Sequence, residues 1–387
     1  MIESDKIYHC SETLATAGGG VKTYVQGLFS AMPSAFNTGV IATLVDVDQS
    51  QFKLLHLHED KQLPQLRGEC PTIFTAHNHD SYCPSGTKYF SVGQVCCDRP
   101  MSYLGCTWGH IVDGCGSRRP QRIVENFQRA YQGFNALKQF KIPVIANSDY
   151  VRSQFIRNGL APEQVVTLRY GITIPKVAST PLTESIHRDR HILFAGRIVP
   201  DKGLDWLLKA LQKLDRSIHL DIAGEGWYLP KVQKLAVDLG VSDRITWHGW
   251  CSGEQLEALY ERSFSVVFPS VWPEPAGIIT LEAYARFRPI IASAVGGIPE
   301  HVKDGETGIL VPANDIQKLA AAITELSENY PKAKSMGEVG NTWFHQEFTL
   351  AVHTQRLMKI YDRAIVNFTV RLPNSSPPTA PMTRSTE

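Results

Sequence analysis

Short apolar runs separated by amphipathic stretches organise the second half of the chain. Ile192-Leu-Phe-Ala, Ile218-His-Leu-Asp-Ile-Ala, Ile245-Thr-Trp, Val266-Val-Phe and Pro289-Ile-Ile-Ala-Ser suit strands buried on both faces of a parallel sheet. Between the first two runs, Leu204, Leu207, Leu208, Leu211 and Leu214 recur three and four residues apart, which makes one apolar stripe on a helix. Gly240 and Gly305 punctuate the pattern as turn or helix-end glycines. Strand and helix in alternation predict a doubly wound α/β sheet, whose ligands lie beyond the carboxyl ends of the strands.

The first half repeats the theme less cleanly. Ile7-Tyr-His-Cys runs into Gly18-Gly-Gly20 and a helical stretch over residues 21–32, and Phe52-Lys-Leu-Leu-His-Leu-His, Thr72-Ile-Phe-Thr-Ala-His and Pro143-Val-Ile-Ala-Asn read as buried strands. A cysteine-bearing insertion over about residues 80–119 interrupts the series. Few core residues fall between 173 and 190, which marks the linker. The expected organisation is an N-terminal Rossmann-like domain over 1–175 and a C-terminal one over 188–345. A closing helix over 346–368 packs back toward the first domain, and a Pro/Ser/Thr-rich disordered tail covers 369–387.

At 387 residues the chain is long enough for two cores, and a formal charge of +1 gives no global case for nucleic acid. No apolar run approaches the roughly 18–20 residues that span a bilayer. Met1-Ile-Glu-Ser-Asp-Lys lacks the basic and apolar regions of a signal peptide, so a cytoplasmic protein is expected. Five of the eight cysteines, Cys83, Cys96, Cys97, Cys106 and Cys115, fall in the insertion. They are candidates for a structural zinc, although no Cys-x-x-Cys pair occurs and unligated thiols explain them as well. Arg118-Arg-Pro-Gln-Arg122 leads into a helix with Ile123, Phe127, Phe134 and Leu137 on roughly one face and Arg129, Lys138 and Lys141 beside it. That pattern fits peripheral contact with an anionic membrane, or any helix covering a sheet.

Two segments carry the strongest candidate chemistry. Phe194-Ala-Gly-Arg-Ile-Val-Pro-Asp-Lys-Gly203 is a strand ending at Gly196, with Arg197 and Lys202 beyond it. Fixed cations neutralise a leaving diphosphate without a metal. Arginine offers a planar fork and lysine a point charge; an exposed basic turn would have the same composition. Trp272-Pro-Glu-Pro-Ala-Gly-Ile-Ile-Thr-Leu-Glu282 sets Glu274 and Glu282 across a loop that runs into a helix, with Gly277 where backbone must approach something closely. A carboxylate accepts two parallel hydrogen bonds, which fits the vicinal hydroxyls of a ribose or hexose. Two helix-start glutamates are the competing reading, and the prolines around Glu274 argue against it. Cations on one segment and carboxylates on the other suit a nucleotide sugar.

Weaker signals accompany these. Gly18, Gly19 and Gly20 follow a strand and permit close approach to phosphate or sugar, as a flexible connector also would. His77 and His79 end a strand where a crevice is expected, and a histidine there can hydrogen-bond a sugar hydroxyl. A metal pair with Asp80 has the right spacing but is less economical. Asp46-Val-Asp48 has the form of a divalent-metal motif and reads better as a strand-end turn.

From about His191 to Pro312 the chain resembles the C-terminal domain of family 4 glycosyltransferases, retaining nucleotide-sugar-dependent enzymes of the GT-B fold. The resemblance rests on Gly196-Arg-Ile-Val-Pro-Asp-Lys-Gly203, Gly224-Glu-Gly226, Pro269-Ser270, the Glu274 and Glu282 pair, Ala292-Ser293, Gly296-Gly297 and Gly308-Ile-Leu-Val. Gly19-Gly-Val-Lys-Thr-Tyr-Val25, His77 and Ile145-Ala-Asn-Ser148 look like N-terminal landmarks of the same family. The resemblance implies two doubly wound domains facing a cleft. Arg197 and Lys202 would grip the diphosphate, Glu282 the ribose, and Glu274 the donor sugar near its ring. Gly196, Gly277 and Ile278 would line the donor site, His77 would approach the sugar, and Gly19 and Gly20 would face the phosphates. Two departures are Ala276, where the family usually has an aromatic residue, and Arg288, where it often has a small one.

The expected function is transfer of a sugar from a nucleoside diphosphate sugar to a hydroxyl on a glycan, glycolipid or small acceptor, in cell-surface polysaccharide or glycolipid synthesis, with no cofactor needed for the chemistry. A GT-B phosphorylase, a sugar-nucleotide epimerase, a non-catalytic nucleotide-sugar-binding paralogue and a zinc-organised interaction module are the alternatives.

Overall fold

The computed structural model describes residues 6–12, 20–32, 38–175 and 179–371. In chain order the first half forms β1 (Ile7–Cys10), β2 (Thr38–Ile41), β3 (Leu54–Leu57), β4 (Thr72–Ala76), β5 (Tyr89–Phe90), β6 (Val95–Cys96), β7 (Val144–Ala146) and β8 (Val165–Thr167). The second half forms β9 (His191–Ala195), β10 (His219–Ala223), β11 (Ile245–Gly249), β12 (Ser263–Phe268), β13 (Ile290–Ser293) and β14 (Gly308–Val311). Two six-stranded parallel sheets result, in the orders β2-β1-β3-β4-β7-β8 and β11-β10-β9-β12-β13-β14, with β5 and β6 as a separate antiparallel pair.

The second order is that of a dinucleotide-binding sheet, which reverses direction between β9 and β12. Its strands are apolar on both faces because helices cover both, as with Ile192, Leu193 and Phe194 at 0–2% exposure. The leucine stripe lies on the helix Leu204–Leu211, where Leu204, Leu207, Leu208 and Leu211 are all buried. Each such leucine contributes about 2 kcal/mol in area terms. The helix Leu350–Arg371 leaves the C-terminal half and packs against the first helix, Gly20–Ala31, and against β4 of the first sheet. Residues 369–371, expected in the tail, are its last turn, and residues 372–387 lie outside the described ones. Residues 173–190, read as a linker, contain the short helix Glu184–Arg188 and core Leu182.

Two expectations are narrowed here. The apolar side of the basic helix does not face outward: on Pro120–Gln139, Phe127, Ala130, Phe134 and Leu137 are buried, and Arg129 pairs with Asp60 and Asp80. Apolar burial against the core outweighs display to a surface. The five insertion cysteines do not assemble as one ligand set. Cys83, Cys97, Cys106 and Cys115 line a cavity of about 20 Å³, while the Cys96 thiol is turned toward the Val271 carbonyl at 4.0 Å. Among the described residues, the one trio of potential ligand atoms mutually within 4.8 Å is His9, His56 and His58, not a thiol set. Burial raises the thiol pKa of Cys97 and Cys106 and takes those of Cys96 and Cys115 to about 11. Among the described residues, no helix is long and apolar enough to cross a membrane.

Candidate functional site

A cleft of about 410 Å³ opens at the reversal point of the second sheet, beyond the carboxyl ends of β9 and β12. Its floor on the β9 side is Phe194, Ala195, Gly196, Arg197 and Lys202, and on the β12 side Phe268, Trp272 and the loop from Glu274 into the helix Ile278–Tyr284. The opposite wall belongs to the first domain and consists of His77 after β4, Asn147 after β7, and Tyr170. Arg197, Lys202, Glu274, Gly277, Ile278, Glu282, Gly196 and His77 are thus brought together in one space. Gly20 is the first residue of the helix Gly20–Ala31, and Gly19 lies outside the described residues.

The loop carrying Glu274 is held from behind. Gly297 N–H donates to the Glu274 carbonyl at 2.7 Å. A side chain at Gly296, whose φ is +58°, would meet the Glu274 carbonyl oxygen at 2.4 Å, so only glycine lets the two backbones touch. Gly277, at φ +71°, turns the loop into the helix, and the first amides of that helix lack intrahelical acceptors. From the other domain, His79 Nε2–H donates to the Pro273 carbonyl at 2.7 Å and Ser148 Oγ to the Pro275 carbonyl at 2.5 Å. Trp272 Nε1–H donates to the Thr87 carbonyl of the insertion. Glu300 accepts from the Asp149 and Tyr150 amides at 2.7 Å each, which caps the helix Asp149–Arg157 across the domain boundary.

Charges in the cleft are pre-paired. Lys202 Nζ bonds Glu274 Oε1, which also accepts from Ser270 Oγ at 2.9 Å. The same ammonium lies 5.1 Å from the Trp272 ring centroid, a cation–π contact. Arg197 is exposed at the rim. Glu282 accepts from the Tyr260 hydroxyl at 2.9 Å; burial raises its pKa, while Arg286 and that hydrogen bond oppose the rise. Arg286 in turn is held by Glu257.

His77 is not a free imidazole. Its Nδ1 is 2.5 Å from the Tyr170 hydroxyl and its Nε2 is 3.0 Å from His58 Nδ1, while His58 Nε2 is 2.9 Å from His9 Nδ1. Desolvation lowers the His77 pKa to about 3, against the attraction of Glu59, so the ring is neutral. His79 is likewise lowered to about 3 by burial; it donates to Pro273, so the Tyr82 hydroxyl 2.5 Å from its Nδ1 is the donor there. No part of this supports a metal at His77, His79 and Asp80. Asn147 was reached in sequence only as part of a landmark. It is 1% exposed, and neither amide atom is in well-aligned hydrogen-bond geometry among the described residues, although the amide lies near enough to the Tyr170 hydroxyl to oppose the rise in its pKa. Trp272 entered only as the first residue of the Glu274 stretch and Tyr170 not at all, since an aromatic residue in an irregular loop carries no periodic signal. Asp46 and Asp48 lie away from the cleft; Asp48 caps a short turn by accepting from the Ser50 amide.

Residues 183–343 match the family model of glycosyl transferases group 1. Over 213 residues, 51% of this chain and 56% of the other, the sequence is 31% identical to the GDP-mannose-dependent alpha-(1-6)-phosphatidylinositol monomannoside mannosyltransferase of Mycolicibacterium smegmatis. It is 36% identical over 187 residues to the D-inositol 3-phosphate glycosyltransferase of the same organism, covering 47% of this chain and 42% of that one. The chain spans about half the length of these curated relatives. Among solved structures, Anabaena Alr3699/HepE in complex with UDP aligns with a TM-score of 0.70 at 18% identity, over 92% of this chain and 100% of that one. Sucrose-phosphate synthase from Thermosynechococcus elongatus aligns at 0.70 and 19%, over 94% and 100%. The chain therefore has the two-domain GT-B fold. The family match falls on the second sheet and the helices around it.

Proposed function

We propose that this protein is a retaining glycosyltransferase of family 4 that moves a sugar from a nucleoside diphosphate sugar to a hydroxyl acceptor. The observation that carries the reading is the convergence of Arg197 and Lys202 with Glu274 and Glu282 on one cleft at the sheet's reversal point. In this reading the diphosphate enters between Arg197 and Lys202, and Lys202 exchanges part of its pairing with Glu274 for phosphate oxygens. Glu282 takes the ribose hydroxyls, and Glu274, released from Lys202, takes hydroxyls of the sugar. The amides after Gly277 add partial positive charge where the leaving group develops its negative charge.

The C1–O bond to phosphate breaks and a C1–O bond to the acceptor forms on the same face. The acceptor's proton passes to the departing phosphate oxygen. Glu274 has no nucleophilic part in this reading, because its carboxylate is taken up by sugar hydroxyls and by the Ser270 hydroxyl on Oε1. A contacted loop between the domains favours exclusion of water during transfer. The named relatives act on phosphatidylinositol monomannoside and inositol 3-phosphate, which supports glycolipid or polysaccharide assembly as the setting.

Thermal shift and slow hydrolysis against UDP-, GDP- and ADP-sugars test the donor site. One donor should stabilise the wild type and not Lys202→Ala or Glu282→Ala, and should release its nucleoside diphosphate slowly. If no nucleotide or nucleotide sugar binds, the site assignment fails and a non-catalytic role moves ahead. Proton NMR of the product should show the donor's anomeric configuration; a sugar trapped covalently on Glu274 would sink the same-face route.

A further inference from the structure

The insertion turns an apolar face to solvent. Leu104, Trp108 and Ile111 are 88%, 58% and 55% exposed, and their spacing of four and three residues puts them on one side of a helical segment. That segment is the helix Tyr103–Trp108 continued by the π-helical turn Gly109–Asp113. Its inner side is occupied: Cys106, Gly109 and His110 face the thiol-lined cavity, and His110 is fully buried. The exposed side is therefore fixed by packing within the insertion. Isolated exposed hydrophobics are ordinary, but a contiguous helical row of large ones marks an interaction surface.

The charges around the row select the partner. Between residues 98 and 125 the sequence holds four arginines against Asp98, Asp113 and Glu125; Asp113 is paired with Arg99, Glu125 with Arg122 and Asp98 with Arg157, which leaves Arg118 and Arg119 as the net positive charge. Arg118, Arg119 and Arg122 remain exposed just beyond the row. A second copy meeting this face about a two-fold axis would set those arginines against their own counterparts. A lipid surface of negative charge accepts both features at once, the row entering the headgroup boundary with the Trp108 indole at its preferred depth, and the arginines bonding lipid phosphates.

We infer that the Leu104–Trp108–Ile111 face of the insertion, with Arg118, Arg119 and Arg122, docks the protein on an anionic membrane surface. The same insertion accepts the Trp272 hydrogen bond through Thr87, so docking ties the lipid plane to the loop that bears Glu274. A hydroxyl on a lipid-anchored acceptor would then meet the cleft from the insertion side. The docking itself does not depend on the donor reading.

Co-sedimentation of the full chain with vesicles of phosphatidylcholine alone, and of phosphatidylcholine mixed with phosphatidylglycerol, is the test. Wild type should pellet with the mixed vesicles at low salt, at least tenfold less with neutral ones, and less as salt rises. The variants Leu104→Ser with Trp108→Ser, and Arg118→Glu with Arg119→Glu, should each bind the mixed vesicles at least tenfold more weakly. Because these side chains are exposed, their melting temperatures should match wild type. Unchanged binding by both folded variants, or equal binding of wild type to both vesicles, would overturn the proposal. So would a concentration-dependent dimer that the serine variant abolishes, which would make the face a contact between copies.

Discussion

How hydrogens are shared on the N-terminal wall decides which residue there can read a sugar. The Tyr170 hydroxyl, His77, His58 and His9 form an unbroken series at 2.5, 3.0 and 2.9 Å. Two proton arrangements satisfy it: Tyr170 donates and each ring passes the donation inward, or His9 donates and the series runs outward to Tyr170. Every ring is neutral in both, and His77 has no nitrogen to spare in either. The expected bond from the His77 imidazole to a sugar hydroxyl would break one of these contacts. Asn147 beside it is 1% exposed, and its amide finds no well-aligned hydrogen bond among the described residues; the Tyr170 hydroxyl is near enough for its electrostatics to feel the amide. A buried amide left unbonded costs about 1–3 kcal/mol, which a sugar hydroxyl would relieve. Asn147→Ala should therefore weaken a nucleotide sugar about tenfold, near 1.4 kcal/mol, and leave the bare nucleoside diphosphate unaffected in calorimetric titrations. An equal loss for both ligands would assign Asn147 a purely structural part.

Among elements, one buried side chain gathers the carbonyls where the linker meets the second domain, beside the contacts of His187 with Leu326 and Tyr330 with Leu182. Arg288 is fully buried, and its guanidinium donates to the carbonyls of Tyr260, Thr180, Arg286 and Glu261 at 2.8–3.0 Å. Burial lowers its pKa to about 10, partly offset by Glu261, so it stays charged at neutral pH. Arg288→Ala would orphan several carbonyls and should cost about 3 kcal/mol, with lysine restoring little because it lacks the planar fork. Urea denaturation reads this directly, and an unchanged midpoint would mean that water reaches those carbonyls. Sequence marked Arg288 only as a departure from a pattern, since the carbonyls it serves lie 2 to 108 residues away. The same distance effect explains what was legible elsewhere. β9, β10, β12 and β13 were readable because burial on both faces makes them apolar throughout. β2 was missed because it is an edge strand, partly exposed, and interrupted by Gly39, which makes room for the Tyr8 ring. The charged residues of the cleft were readable by type and motif. Their mutual pairing arises only when the loops after β9 and β12 meet, and Asn147 joins the cleft only when β7 faces them.

Across the whole molecule, neutral histidines stitch the two halves together. The returning helix Leu350–Arg371 brings the Tyr361 hydroxyl 2.7 Å from His56 Nδ1 and His353 Nε2 2.8 Å from the Tyr24 hydroxyl, while His79 bonds Pro273 across the cleft. His9, His56, His58, His79, His301 and His353 are at most 3% exposed. In each, burial is the first cause lowering the pKa from its ordinary 6.5: to about 3 for His9 and His79, about 4 for His301 and His353, and well below 6.5 for His56 and His58. A group whose folded pKa is depressed favours the fold fully above its unfolded pKa, and that contribution is lost as pH falls toward the folded value. Between pH 6.5 and about 4 the unfolded chain therefore binds protons that the native one refuses, and each uncoupled group removes roughly 1 kcal/mol per pH unit. Stability should be level near pH 7.5 and fall steeply below 6.5. Urea denaturation at half-unit steps down to pH 5 should show uptake of several protons on unfolding, readable from the slope of the unfolding free energy against pH. A flat profile from pH 7 to 5 would mean that these histidines are already charged in the native state. The neutral series from His9 to Tyr170 could then not exist as described.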